Sequence, residues 1–139
     1  MAAKKETEES VNFSPQFDEN GLIPAITQDA RTGQILMVAY MNRQALEATI
    51  ESGWATYFSR SRGRLWQKGE ESGHRQKVEQ ILVDCDQDCL VLKVTADGGQ
   101  CHVGYQSCFY RALSKDSDNK LEFIAEKVFD PQKTYRKRV

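Results

Sequence analysis

The 139-residue sequence contains no apolar run approaching the roughly 18 to 20 residues a membrane-spanning helix needs, so a transmembrane protein is not expected. Its first ten residues, MAAKKETEES, alternate charges and small polar groups and lack the apolar stretch of about 7 to 15 residues that marks a secretory signal. A cytoplasmic location is expected instead. An excess of one charge is also missing: 19 basic residues stand against 20 acidic ones, for a net charge of −1. Neither nucleic acid nor an anionic membrane is therefore an expected partner, and any anion site must be local. The four cysteines form no CxxC pair, which argues against a zinc finger or ribbon, and the reducing cytosol argues against a disulfide framework.

What is present suits one domain. A chain of this length buries roughly two thirds of the surface it would expose unfolded, enough for a single core. Residues 1–16 are polar and aperiodic and are expected to form a flexible tail. Leu22–Ile26 and Gln34–Tyr40 are strand-length apolar runs around the turn-like Asp29–Gly33, a predicted β-hairpin. Asn42 offers an N-cap to a helix over Arg43–Ser52, in which Ala45, Leu46, Thr49 and Ile50 share a face and Gly53 suits the left-handed residue beyond the last turn. Ala55–Ser59 reads as a strand, Arg60–Gly73 as a long loop, and Val78–Val83 with Leu90–Val94 as a second hairpin. Leu121–Glu126 is a possible edge strand before a basic tail, Lys133–Arg138. The predicted class is α+β: one small β-rich domain of hairpins with one or two short helices, followed by an extension over 114–139.

Three groups of residues could carry chemistry. Cys85, Cys101 and Cys108 can be three soft ligands of a catalytic zinc with an open fourth position, or buried small hydrophobes; Cys89, leading into Leu90-Val91-Leu92, is read as core. His102 follows Cys101 directly and is either a proton carrier or a hydrogen-bonded structural residue. Asp84, Asp86 and Asp88 place three carboxylates within five residues, which suits a hard divalent cation or a solvated turn. In an extended segment they would point one way and Cys85 the other. An EF-hand is rejected, because Cys89 and Thr95 occupy the positions that need Gly and Glu, and an aspartyl-phosphate enzyme would need a larger domain. Between Arg60 and Lys77, six positive residues stand against Glu70 and Glu71, a local +4 that suits phosphate, RNA or merely solvent.

Four segments together are specific: GLIPAITQDARTGQILMVAYMN, SRSRGRLWQKGEESGHRQ, VDCDQDCLVLKV and GGQCHVGYQSCFYR resemble, in order and spacing, the phosphoribosyl-AMP cyclohydrolases of histidine biosynthesis. The resemblance spans about Phe17–Arg111 and implies a cyclohydrolase domain over residues 17–113. It implies a homodimer, intertwined in fold, that uses zinc and magnesium to open the adenine ring of 1-(5-phosphoribosyl)-AMP at N1–C6. Carried over by motif, Cys85, Cys101 and Cys108 match the zinc ligands, with Cys85 supplied by the opposite subunit, and Asp84, Asp86 and Asp88 match the magnesium ligands. His102 becomes the preferred proton-transfer residue. The Arg60–Lys77 loop is assigned to the substrate through Arg60, Arg62, Trp66, Lys68, Gly69, Glu70, Ser72 and Gly73. The competing reading is a non-catalytic, zinc-stabilised module that binds nucleotides or RNA through the basic loop, and it would need a fourth protein ligand to zinc.

Overall fold

Alternating burial along Ile23–Asp29 (β1) is what a strand with one face on a core produces: Ile23, Ala25, Thr27 and Asp29 are buried and the residues between them half-buried. Leu90–Ala96 (β6) repeats the pattern with Leu90, Leu92, Val94 and Ala96. A computed structural model describes residues 7–116 and 119–136, and in it these two strands lie side by side in parallel, Ala25 opposite Leu90 and Asp29 opposite Val94. Their buried residues therefore merge into one apolar surface. Ile35–Met41 (β2) returns antiparallel to β1, and the connecting turn is held by Asp29 Oδ1, which accepts from the Arg31 and Thr32 amides at 2.8 and 3.2 Å. With Thr56–Ser59 (β3), Arg64–Gln67 (β4) and Gln76–Val83 (β5), the curled six-stranded sheet runs β4-β3-β2-β1-β6-β5.

One helix, Arg43–Ser52 (α1), covers part of the sheet and packs against β3. Its ends are those the sequence predicts. Asn42 Oδ1 accepts from the Ala45 amide at 2.8 Å, a cap that contributes about 1 kcal/mol. Gly53 adopts φ 80° and closes the last turn onto the Thr49 carbonyl. The expected apolar face needs one correction, because Ile50 is 55% exposed while Ala45, Leu46 and Thr49 are buried. Thr49 explains this: its hydroxyl donates to the Thr56 carbonyl at 3.0 Å and accepts from the Thr56 amide at 3.0 Å. That pairing turns Thr49 inward at the helix end and its neighbour outward.

A second correction concerns the long loop predicted over Arg60–Gly73. It contains β4, which pairs antiparallel with β3 from Thr56–Gln67 to Ser59–Arg64. Four residues are too few for an alternation to show in the sequence, and the strand is held by tertiary packing, with Trp66 against Tyr57 at 5.2 Å between ring centroids.

The C-terminal part forms a separate ribbon of Arg111–Leu113 (β7) and Leu121–Phe123 (β8), so the predicted edge strand pairs away from the main sheet. A short helix, Pro131–Arg136 (α2), follows; residues 137 and 138 of the predicted basic tail lie outside the described residues, as do residues 1–6 of the expected N-terminal tail. Leu113, Leu121, Phe123 and Ile124 leave the ribbon with a largely apolar exposed surface. Among the described residues, no helix is long and apolar enough to cross a membrane.

Candidate active site

The buried interior of the sheet is not wholly apolar. Tyr57 donates its phenol proton to Gln76 Oε1 at 2.7 Å, so the Thr27 hydroxyl, 2.6 Å away, must be the donor to the Tyr57 oxygen. Gln76 Nε2 donates to Gln100 Oε1 at 2.9 Å and also reaches Met37 Sδ, and Gln100 Nε2 donates to the Gly98 carbonyl at 3.0 Å. Burial pushes the Tyr57 phenol above its ordinary range, against the Thr27 hydrogen bond, so it stays a donor. This chain of donors fixes the loop that begins at Gly98 to the middle of the sheet. Tyr57→Phe is expected to lower stability by about 1–3 kcal/mol, because Gln76 Oε1 loses its buried donor; a urea unfolding midpoint checks it.

That loop carries Cys101 and Cys108. Its backbone is tied at both ends, the Cys101 amide donating to the Tyr105 carbonyl at 3.0 Å and the Cys108 amide to the Leu36 carbonyl at 2.7 Å. Cys101 is buried, and its thiol lies against that of Cys108. Desolvation, and then Cys101, push the Cys108 thiol up to about 12. Two adjacent soft donors fit a thiophilic cation, whose binding displaces thiol protons. Cys85 stands exposed on the β5–β6 tip, and among the described residues no three-ligand cluster joins it to Cys101 and Cys108. Cys89, read as core, is half-buried, and its amide donates to Asp84 Oδ1 at 3.2 Å.

Asp84, Asp86 and Asp88 do converge, with ligand oxygens all within 4.8 Å of one another. The cause is not strand alternation. Residues 84–89 form a tight turn, in which the Gln87 amide donates to the Asp84 carbonyl at 3.1 Å and the Asp88 amide to Asp84 Oδ1 at 3.0 Å. The crowding appears in Asp88, whose carboxyl is raised to about 6 by hydrogen bonds with Asp86 and Asp84 and by their charges. An all-oxygen donor set of this kind fits a hard divalent cation.

A cleft of about 400 Å³ opens beside the two thiols. Its wall includes Cys108, His102, Trp66, Lys68, Ser72 and Gln100. Of the loop residues assigned to the substrate, Arg62, Gly69 and Glu70 also line it, whereas Arg60 and Gly73 do not. Arg60 lies over the Tyr40 ring at 4.0 Å, Arg75 over Trp54 at 3.7 Å, and Arg64 bridges Glu70 at 3.3 Å, so much of the local positive charge is engaged elsewhere. Arg62 and Lys68 are the cations of the cleft wall. Lys68 is buried, with Nζ donating to the Gln100 carbonyl at 2.8 Å; burial lowers its pKa while Cys108 and Cys101 oppose the shift. Gly69, at φ +91°, is required beside it, since a Cβ there would lie 2.6 Å from the Arg75 amide nitrogen. His102 is exposed on the cleft, whereas His74 is structural, its Nδ1 donating to the Gly99 carbonyl at 2.7 Å with Phe129 edge-on. Sequence reasoning missed Met37 and Gln100 in the wall; Gln100 sits inside the quoted GGQCH segment, but nothing local marks its amide as buried.

The small curled sheet carries an open cleft, and relatives named as cyclohydrolases that match along most of its length make this chain a hydrolytic enzyme. The family model of phosphoribosyl-AMP cyclohydrolase matches residues 37–110. Relatives of that name include one from Methanococcoides burtonii, 58% identical over 120 residues that cover 86% of this chain and 94% of the relative. Others come from Methanothermobacter thermautotrophicus, 54% identical over 125 residues with 90% of each covered, and Chlorobium limicola, 49% identical over 138 residues with 99% of each covered. The chain belongs to the phosphoribosyl-AMP cyclohydrolase family.

Proposed function

We propose that the chain hydrolyses the N1–C6 bond of the adenine ring of 1-(5-phosphoribosyl)-AMP in histidine biosynthesis, as a zinc- and magnesium-dependent cytoplasmic homodimer. The observation that carries this reading is the cleft in which Trp66, Lys68 and Ser72 of one motif face His102 and Cys108 of another. Cys101 and Cys108 would hold zinc together with the partner subunit's Cys85, and Asp84, Asp86 and Asp88 would hold magnesium. When bound, zinc supplies Lewis acidity and water activation at neutral pH, and magnesium offsets phosphate charge.

The protein groups divide the remaining work. Trp66 presents an aromatic face to the purine, with its ring braced by Tyr57. Lys68, held by the Gln100 carbonyl, fixes a cation on the inner wall, and the Arg62 guanidinium suits a phosphate oxygen pair. Water adds its oxygen to C6, which N1 substitution makes electrophilic; the C6–N1 bond breaks, and N1 takes up a proton. His102, exposed on the cleft, accepts the water proton and returns one to N1. The names of the relatives speak against a non-catalytic binding module. Purified protein incubated with phosphoribosyl-AMP is expected to open the ring when metals are supplied and to stop on addition of a zinc chelator. No ring opening under metal-replete conditions would overturn the reading.

A further inference from the structure

Gln87, in the middle of the acidic turn, is held in an uncommon way. It adopts φ 60°, a left-handed backbone that a non-glycine residue keeps only where its surroundings compel it, and its side chain is buried between two exposed stretches of chain. The compulsion comes from the N-terminal segment. Gln87 Oε1 accepts from the Ser14 amide at 2.6 Å, Nε2 donates to the Asn12 carbonyl at 3.2 Å, and the Gln87 carbonyl accepts from the Gln16 amide at 2.7 Å. Residues 12–16 lie outside the stretch matched by the family model, yet they satisfy both ends of the one amide side chain that sits between Asp86 and Asp88.

We infer that the Asn12–Gln16 segment clasps Gln87 and so holds the Asp84–Asp88 turn in the shape that gathers its three carboxylates, which makes Gln87 a positioning residue for the divalent cation. The inference rests on the magnesium reading of that turn. Without the clasp, a left-handed residue flanked by mutually repelling carboxylates has every reason to relax, and the oxygens separate. Residues that orient metal ligands from behind commonly change affinity by 10- to 100-fold when removed.

The test uses full-length protein with Gln87→Ala and Gln87→Gly, Mn²⁺ as the probe followed by its electron paramagnetic resonance signal, and hydrogen exchange at the Ser14 and Gln16 amides. Glycine suits φ 60° and so keeps the turn unstrained while deleting the amide. Both variants are expected to bind Mn²⁺ about tenfold more weakly and to exchange faster at Ser14 and Gln16. A purely structural role would lower the thermal midpoint and leave the Mn²⁺ dissociation constant of the folded protein unchanged, and that result overturns the clasp. So does a glycine variant that binds as wild type, because backbone shape alone would then suffice. Wild-type protein that takes up no Mn²⁺ sinks the magnesium reading itself, and the inference with it.

Discussion

Cys101→Ala is expected to abolish zinc uptake and to lower turnover of phosphoribosyl-AMP by roughly 10³-fold or more, since a metal's stabilisation of several kcal/mol corresponds to about one decade per 1.4 kcal/mol. The loop should survive the change. Its shape depends on backbone bonds, Cys101 amide to Tyr105 carbonyl and Gly104 amide to Cys101 carbonyl, both 3.0 Å, and on the Gln76–Gln100 pair beneath it. Removing one sulfur from a buried position costs packing of the size of a small apolar group, and the Cys108 thiol that loses its neighbour is exposed on the cleft, where water can take its place. The variant should therefore unfold near the wild-type temperature, and the loss will be visible as missing zinc by elemental analysis alongside missing turnover. A folded, zinc-free Cys101→Ala protein with full activity would remove the thiols from the reaction altogether. The contrast with Lys68 is instructive: it lines the same cleft and is buried, so its loss would disturb stability and substrate together and could not separate the two.

Elements whose causes are local could be read before any coordinates. The cap at Asn42, the stop at Gly53 and the hairpin turn at Asp29 each depend on neighbours within five residues, and all three stand where the sequence puts them. The pairing of β1 with β6 could not be read, because two strands with the same alternation of buried and half-buried residues carry no mark of which partner lies beside which, and more than sixty residues separate Ala25 from Leu90. The same limit applies at the site. Trp66, Lys68, Ser72 and His102 stood out through motifs, but the burial of Lys68 and the supporting role of Gln100 arise from contacts 32 and 24 residues away in sequence. At the acidic tip the hairpin reading holds, but the alternation that an extended segment would impose does not apply, since Asp84 folds back on the amides of Asp88 and Cys89 and makes a turn. Nothing near Gln87 in sequence points to Ser14.

Mixing Cys85→Ala with Cys108→Ala subunits, each inactive alone, is expected to restore activity to about a quarter of wild type after full exchange, because half the dimers would be mixed and each mixed dimer would rebuild one of its two sites. The expectation follows from where the thiols lie. Cys101 and Cys108 meet at the cleft, while Cys85 projects from the β5–β6 tip and joins no three-ligand cluster with them among the described residues. A zinc that takes two ligands from one chain would need a third, and on the proposed reading the exposed Cys85 thiol at the hairpin tip would supply it to the other subunit's cleft. Leu113, Leu121, Phe123 and Ile124 are each more than half exposed on and beside the β7–β8 ribbon, an apolar face that the proposed second copy would cover. Sedimentation of the wild-type protein should accordingly give a dimer. Subunit exchange can be verified with a mass-tagged chain, and the recovered activity should rise with the mixed fraction. If exchange proceeds and activity stays at zero, Cys85 serves its own chain or none, and the shared zinc site is wrong even though the family assignment stands.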